Sequence, residues 1–175
     1  MKIEKMSLPG VIKIHPRVFV DERGFFYESF SNPIWEEFGI PSCYVQDNHS
    51  FSHEGVLRGM HFQRGQAKLI HVIAGCIYDV FVDICPESAT FGKWQGVLLD
   101  SMDNQLLLIP DGYAHGFYVM SDQAHVVYKV SDVYNPLKEK GFRYDDPHIG
   151  IEWPKGNRTV SERDLNAPFF SEVIR

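Results

Sequence analysis

The chain has 175 residues, enough for one well-cored domain and few for two, and its 44% hydrophobic and 23% charged content is ordinary for a globular protein. Its 17 Lys and Arg against 23 Asp and Glu leave a formal charge of -6; this gives no general attraction to nucleic acid or anionic lipid, so an anionic ligand would need a local basic pocket. No apolar run approaches the roughly 20 residues that span a bilayer, the start Met1-Lys2-Ile3-Glu4-Lys5 lacks the apolar region of a signal peptide, and three cysteines without C-x-x-C spacing indicate neither disulfides nor structural zinc; the expectation is a single cytoplasmic domain over residues 1–175.

In chain order, Val11-Ile12-Lys13-Ile14 is the first predicted strand, closed by His15-Pro16 because the residue before proline is pushed out of the helical region. Asp21-Glu22-Arg23-Gly24 forms a turn, and the strand after it sets Phe26, Glu28 and Phe30 on one face, opposite Phe25, Tyr27 and Ser29. On spacing alone Glu28 reads as an exposed edge-strand charge. Asn32-Pro33 and residues 34–39 have the N-cap, first-turn proline and terminal glycine of a short helix. Residues 45–50 are extended and polar on both faces, with Gln46 and Asn48 sharing one side that suits a ligand or solvent equally.

Residues 56–63, Val-Leu-Arg-Gly-Met-His-Phe-Gln, form the stretch around which the chain is organised. Val56, Met60 and Phe62 frame Arg58, His61 and Gln63, and Lys68 follows. A barrel interior would make two cations and a histidine costly unless an anion were expected there. A satisfied core histidine and an edge arginine explain the same pattern, and the segment alone leaves both readings open.

Residues 69–84 read as two strands reversing at Ala74-Gly75, with Asp79 and Asp83 on the face of Ile77 and Phe81 so that at least one can point inward. Strands follow at residues 94–99 and 106–109. Pro110-Asp111-Gly112-Tyr113-Ala114-His115 turns into another strand with His115 at its mouth, and residues 126–130 pair with it across the turn at 121–123. Many short strands and almost no helix point to an antiparallel sandwich or barrel. Ser161-Glu162-Arg163-Asp164 has the form of a capping box, which by itself makes Asp164 a helix cap.

The blocks Arg58-Gly-Met-His61 and Pro110-x-Gly112-x-x-His115 resemble the two conserved blocks of the cupins, jelly-roll barrels in which such segments usually hold a metal. Here Gln63 stands for one ligand and Lys68 for another, so a divalent ion would be repelled and no metal is expected. More closely, and along nearly the whole chain, the sequence resembles the dTDP-4-dehydrorhamnose 3,5-epimerase family. The matching words are residues 21–29, 45–50, 56–63, 68–69, 109–117, 128–129, 149–154 and 161–164. The resemblance implies an all-β cupin jelly roll with a few short peripheral helices, acting without a cofactor on a dTDP-sugar as a homodimer. It implies His61 as general base, Asp164 as the group that orients it, Tyr128 as acid on the opposite face of the sugar and Lys68 beside the ketone oxygen. Arg23, Phe26, Glu28, Gln46, Asn48 and Arg58 would contact the nucleotide and pyrophosphate, some across a dimer interface, with Asp83 and His115 as a supporting polar pair. Two departures stand out: residues 64–67 form a shorter segment than in many relatives, and Tyr144 replaces a common Trp. The alternatives are a one-centre epimerase, a 3,4-ketoisomerase on a related nucleotide sugar, or a cupin that only binds a sugar nucleotide.

Overall fold

The computed structural model describes residues 1–31, 35–36 and 43–174, in which two sheets pack face to face. The first runs in the order β1 (Lys2–Lys5), β2 (Ile12–His15), β10 (Leu106–Ile109), β7 (Lys68–Ala74), β12 (Gln123–Val130) and β5 (Gln46–His53). The second runs β13 (Glu139–Gly141), β6 (Val56–Gln63), β11 (Tyr113–Val119), β8 (Cys76–Asp83) and β9 (Trp94–Asp100), with β14 (Thr159–Val160) parallel to β6. A hairpin of β3 (Phe19–Asp21) and β4 (Gly24–Phe26) joins neither sheet. From β5 to β12 every connection except β8 to β9 crosses between the sheets, giving the expected jelly roll.

Alternation along the strands builds the core. Ile70, Val72, Ala124 and Val126 of the first sheet meet Ile77, Phe81, Val97, Leu99 and Phe117 of the second. The outer face of the second sheet is covered by the C-terminal segment, whose Phe142, Ile149, Trp153, Phe170 and Ile174 pack on Leu57, Met60, Phe62, Val80 and Val82. Tyr144 packs against this cluster from the same segment. Two one-turn helices lie in it, α1 (Glu162–Leu165) and α2 (Phe170–Val173). On the outer face of the first sheet, Ile14, Leu69, Leu106 and Leu108 pack with Trp35.

Four expectations need correction. β7 and β8 are not a hairpin: they lie in different sheets, and Gly75, at a φ of 83°, turns the chain between them where a Cβ would meet the Gln123 carbonyl at 2.1 Å. β12 pairs with β5 and β7, not β11, because a jelly roll sends sequence neighbours to opposite sheets. β4 ends at Phe26, so Glu28 is exposed beyond the strand. The first strand is β1, whose alternation is masked by three charged residues out of four. The helix expected over residues 34–39 falls outside the described residues apart from Trp35 and Glu36.

Candidate active site

A regular strand would point Arg58 and His61 to opposite faces, since side chains alternate with period two. The register between β6 and β11 resolves this: His115 lies opposite His61 and Phe117 opposite Arg58, so β6 carries one residue more than its partner over this span. The extra residue is accommodated around Gly59, at a φ of 138°, where a Cβ would come 2.6 Å from the Gly116 Cα. A bulge of this kind re-aims the side chains that follow it. Arg58 and His61 thus both line one cavity between the sheets, of about 580 Å3.

The opposite wall comes from the first sheet, where the inward faces of β5, β7 and β12 change from apolar to polar toward one end. Asn48 and Ser50, Lys68, and Tyr128 line the cavity there. The Ser50 hydroxyl is buried with no hydrogen-bond partner among the described residues.

His61 Nε2 lies 2.7 Å from Asp164 Oδ1. The second Asp164 oxygen accepts the Gly59 N–H at 3.3 Å. Ser161 caps α1 by accepting from the Asp164 N–H, but the Asp164 carboxylate turns to the histidine and does not close a capping box. Burial alone would raise the Asp164 carboxyl; hydrogen bonds from His61, Gly59 and Ser161, with the His61 charge, outweigh it and hold the group below the usual carboxylate range. With Nε2 committed to Asp164, His61 Nδ1 has no hydrogen-bond partner among the described residues. Lys68 reaches across from β7 to donate to the His61 carbonyl oxygen at 3.2 Å. Burial pulls its pKa down to about 8, against the charges of Glu139 and Asp79. Burial pushes the Tyr128 phenol up, Glu139 adds to the rise and Arg58 opposes it.

Of the residues singled out from sequence, the cavity gathers His61, Asp164, Lys68, Tyr128, Arg58, Asn48 and His115. The short 64–67 segment still delivers Lys68 to it. Arg58 is braced by Ser52 Oγ at 3.0 Å and the Phe51 carbonyl at 3.2 Å. Gln46 lies outside the lining and bonds Asn48 and the Tyr134 N–H. Arg23, Phe26 and Glu28 are exposed, with Arg23 held by Asp21. The polar pair is also corrected: His115 Nε2 binds Asp79 Oδ2 at 2.8 Å, not Asp83. Asp83 sits at the end of β8, where its Oδ2 accepts from the Ser88 and Thr90 hydroxyls and its Oδ1 from the Cys85 N–H. Gln63 is buried and consumed by the loop after β12, donating to Asp132 and the Val133 carbonyl and accepting the Asn135 N–H. Among the described residues no group of three or more His, Cys, Asp and Glu could hold a metal ion, and no helix is long and apolar enough to cross a membrane.

Sequence reasoning missed Tyr134, Glu139 and Arg163, which complete the wall. Their partnership, Tyr134 Oη and Arg163 both donating to Glu139 Oε2, joins a loop, a strand and a helix far apart in sequence, and the 161–164 motif drew notice to Asp164 and not to Arg163.

Comparison with known proteins places this geometry. A sequence profile described as dTDP-4-dehydrorhamnose 3,5-epimerase matches residues 5–172. The dTDP-4-dehydrorhamnose 3,5-epimerase of Shigella flexneri is 46% identical over 177 residues, covering 99% of this chain and 98% of that protein. Among solved structures, the dTDP-6-deoxy-D-glucose 3,5-epimerase of Legionella pneumophila in complex with dTDP-4-keto-L-rhamnose is 43% identical, with a TM-score of 0.94 over 98% of this chain and 94% of that one. A 3'-monoepimerase from Streptomyces bikiniensis in complex with dTDP-quinovose is 34% identical, with a TM-score of 0.88 over 95% and 86%. With the jelly roll, the cavity between its sheets and a match along nearly the whole chain, this protein belongs to the dTDP-4-dehydrorhamnose 3,5-epimerase family.

Proposed function

We propose that the chain is an isomerase that inverts C3 and C5 of dTDP-4-dehydro-6-deoxyglucose to give dTDP-4-dehydrorhamnose, in dTDP-L-rhamnose and cell-surface polysaccharide biosynthesis. The observation that carries this reading is one of opposition: His61 on the second sheet, held by Asp164 of α1, faces Tyr128 and Lys68 on the first sheet across a single cavity. The 4-keto group acidifies the hydrogens on C3 and C5. Neutral His61 takes one of them through Nδ1, and Asp164 stabilises the imidazolium that forms. The electron pair left on carbon moves to the ketone oxygen as an enolate, which the Lys68 ammonium stabilises. Tyr128 returns a proton to the other face, so the centre inverts. The proton on His61 and the phenolate of Tyr128 are then reset through solvent before the second centre reacts. No electrons leave the substrate, so the chemistry needs no redox cofactor.

Arg58 suits the pyrophosphate because its planar fork pairs with phosphate oxygens, and Asn48 and His115 would hold the sugar and its nucleotide. Arg23, Phe26 and Glu28 are assigned to the nucleotide of a second copy, and Gln46, which bonds Asn48, to the nucleotide in this one. In support, the β3–β4 hairpin stands off both sheets with Phe25 62% and Phe26 68% exposed, surfaces that a homodimer would cover. The same reading puts the enzyme in the cytoplasm beside its nucleotide-sugar substrate.

Incubation with the 4-keto-6-deoxy sugar nucleotide in deuterated water tests the assignment. Deuterium at both C3 and C5 with net inversion is expected. No exchange at either carbon would refute it. Exchange confined to C3 would favour a one-centre epimerase, the reading suggested by the likeness to the Streptomyces bikiniensis monoepimerase.

A further inference from the structure

Lys68 forms no ion pair among the described residues, and its one hydrogen bond goes to a neutral carbonyl oxygen. A buried ammonium so placed favours losing its proton, yet the enolate needs it charged. Two carboxylates, Asp79 and Glu139, act on its charge, and a third, Asp164, lines the same cavity. Asp164 is bound to His61 and Asp79 to His115. Glu139 is carried into the cavity wall by β13, where it lies opposite Gln63 two residues before Gly141 meets His61. Tyr134 from the loop after β12 and Arg163 from α1 both bind it, so its position is fixed from two sides. The remaining charged group of the cavity, Arg58, is drawn toward β5 by Ser52 and the Phe51 carbonyl.

We propose that Glu139 is a positioning residue for both proton-bearing groups of the reaction: pinned in the wall of the cavity they share, its negative charge holds Lys68 an ammonium and reinforces burial in holding Tyr128 a phenol until the enolate forms. The roles of Lys68 and Tyr128 rest on the epimerase reading above. The charge of Glu139 acts on both groups in the same sense, opposing burial at Lys68 and adding to it at Tyr128. Asp79 assists at Lys68, and Arg58 works against Glu139 at Tyr128. One carboxylate thus prepares the cation for the oxygen and the donor for the carbon, without touching a reacting atom. Arg163 partly neutralises it, so removing Arg163 should strengthen the field.

Glu139→Gln keeps the shape and an acceptor for Tyr134 and Arg163 while deleting the charge. In the ligand-free protein the Lys68 titration, read from its Cε NMR signal and assigned with Lys68→Arg, is expected to fall by roughly one pH unit. The alkaline limb of kcat should move the same way, and Tyr128 ionisation, read by ultraviolet difference against Tyr128→Phe, should also shift down. Glu139→Asp should restore all three toward wild type. A loss of kcat with the Lys68 titration unmoved would overturn the proposal, since Glu139 would then only shape the wall, and so would no change in any of them. If melting curves show that Glu139→Gln does not fold, Arg163→Met tests the same field with the opposite sign: the Lys68 midpoint should rise, and a fall or no change refutes the idea. The titration needs no substrate, so it stands apart from the epimerase reading, which fails separately if wild-type protein exchanges neither C3 nor C5.

Discussion

Asp164→Asn isolates the contribution of the histidine–carboxylate pair. Asparagine keeps the volume, and its amide oxygen can go on accepting the Gly59 N–H. What then faces His61 Nε2, at the present 2.7 Å, is an NH2 group. That group donates, so the imidazole must carry its own proton on Nδ1, the nitrogen assigned to abstract one. Two losses follow. The imidazolium loses a charge-assisted hydrogen bond, about 1.5–3 kcal/mol, or roughly 10- to 150-fold in rate at about 1.4 kcal/mol per tenfold. The trapped tautomer adds to this; the equivalent change in a protease His–Asp pair costs about 10⁴. The expected result is a kcat lower by roughly 10² to 10⁴, with KM nearly unchanged, measured by NMR as deuterium entry and inversion at C3 and C5. A kcat within about tenfold of wild type would refute the argument, and a change confined to KM would assign Asp164 to binding. Stability offers a second readout. The folded carboxyl lies below its ordinary 3.8, so the stabilisation it gives is present above that value and is lost as pH falls through the folded one. Asp164→Asn should lessen the acid sensitivity of unfolding in that window.

The Lys68 pKa is also lowered, but for a cation this has the opposite effect on stability. Its pKa is about 8 against an ordinary 10.5, so its charge costs stability below pH 8 and the cost fades as pH rises toward 10.5. Lys68→Met should therefore raise Tm at pH 7 by roughly 2–6 °C while kcat collapses; a lower Tm at pH 7 would contradict the burial argument. Tyr128→Phe should retain exchange at C3 with retention while net inversion falls by roughly 10² to 10⁴, and full epimerisation by this variant would remove Tyr128 as the acid. Arg58→Ala and Arg23→Ala should chiefly raise KM, because phosphate contacts are similar in ground and transition states; an intact KM with lost kcat in both would displace the phosphate assignment. Chelators should leave activity unchanged, since the Gln63 amide is occupied by the 132–135 loop; a stoichiometric metal whose removal abolishes turnover would overturn this.

The strands were legible because their inward residues alternate: Ile77, Asp79, Phe81 and Asp83 could be assigned to one face from spacing, and all four are buried. Their partners were not, because the pairing of β12 with β5 and β7 depends on connections that cross between sheets, and the nearest-neighbour hairpin rule fails there. His61, Lys68 and Tyr128 were recovered through family resemblance. Periodicity alone could not have placed Arg58 and His61 on one wall, since that depends on the Gly59 bulge. Glu139 was invisible for a different reason: β13 has three residues, and its carboxylate matters through Tyr134 and Arg163, five and twenty-four positions away.

The bulge at Gly59 also makes the site sensitive to chain length in a way that substitution tables miss. His61 faces the cavity only because one residue more is counted on β6 than on β11. Deleting that residue would restore an even pleat and turn His61 outward, toward the cluster of Phe142 and Trp153, while Phe62 swung inward in its place. Insertion of a second residue would have the same effect. Between Arg58 and His61 the gene therefore has a phase as well as a sequence, and a single in-frame codon lost or gained there should silence the enzyme even where every catalytic side chain is retained.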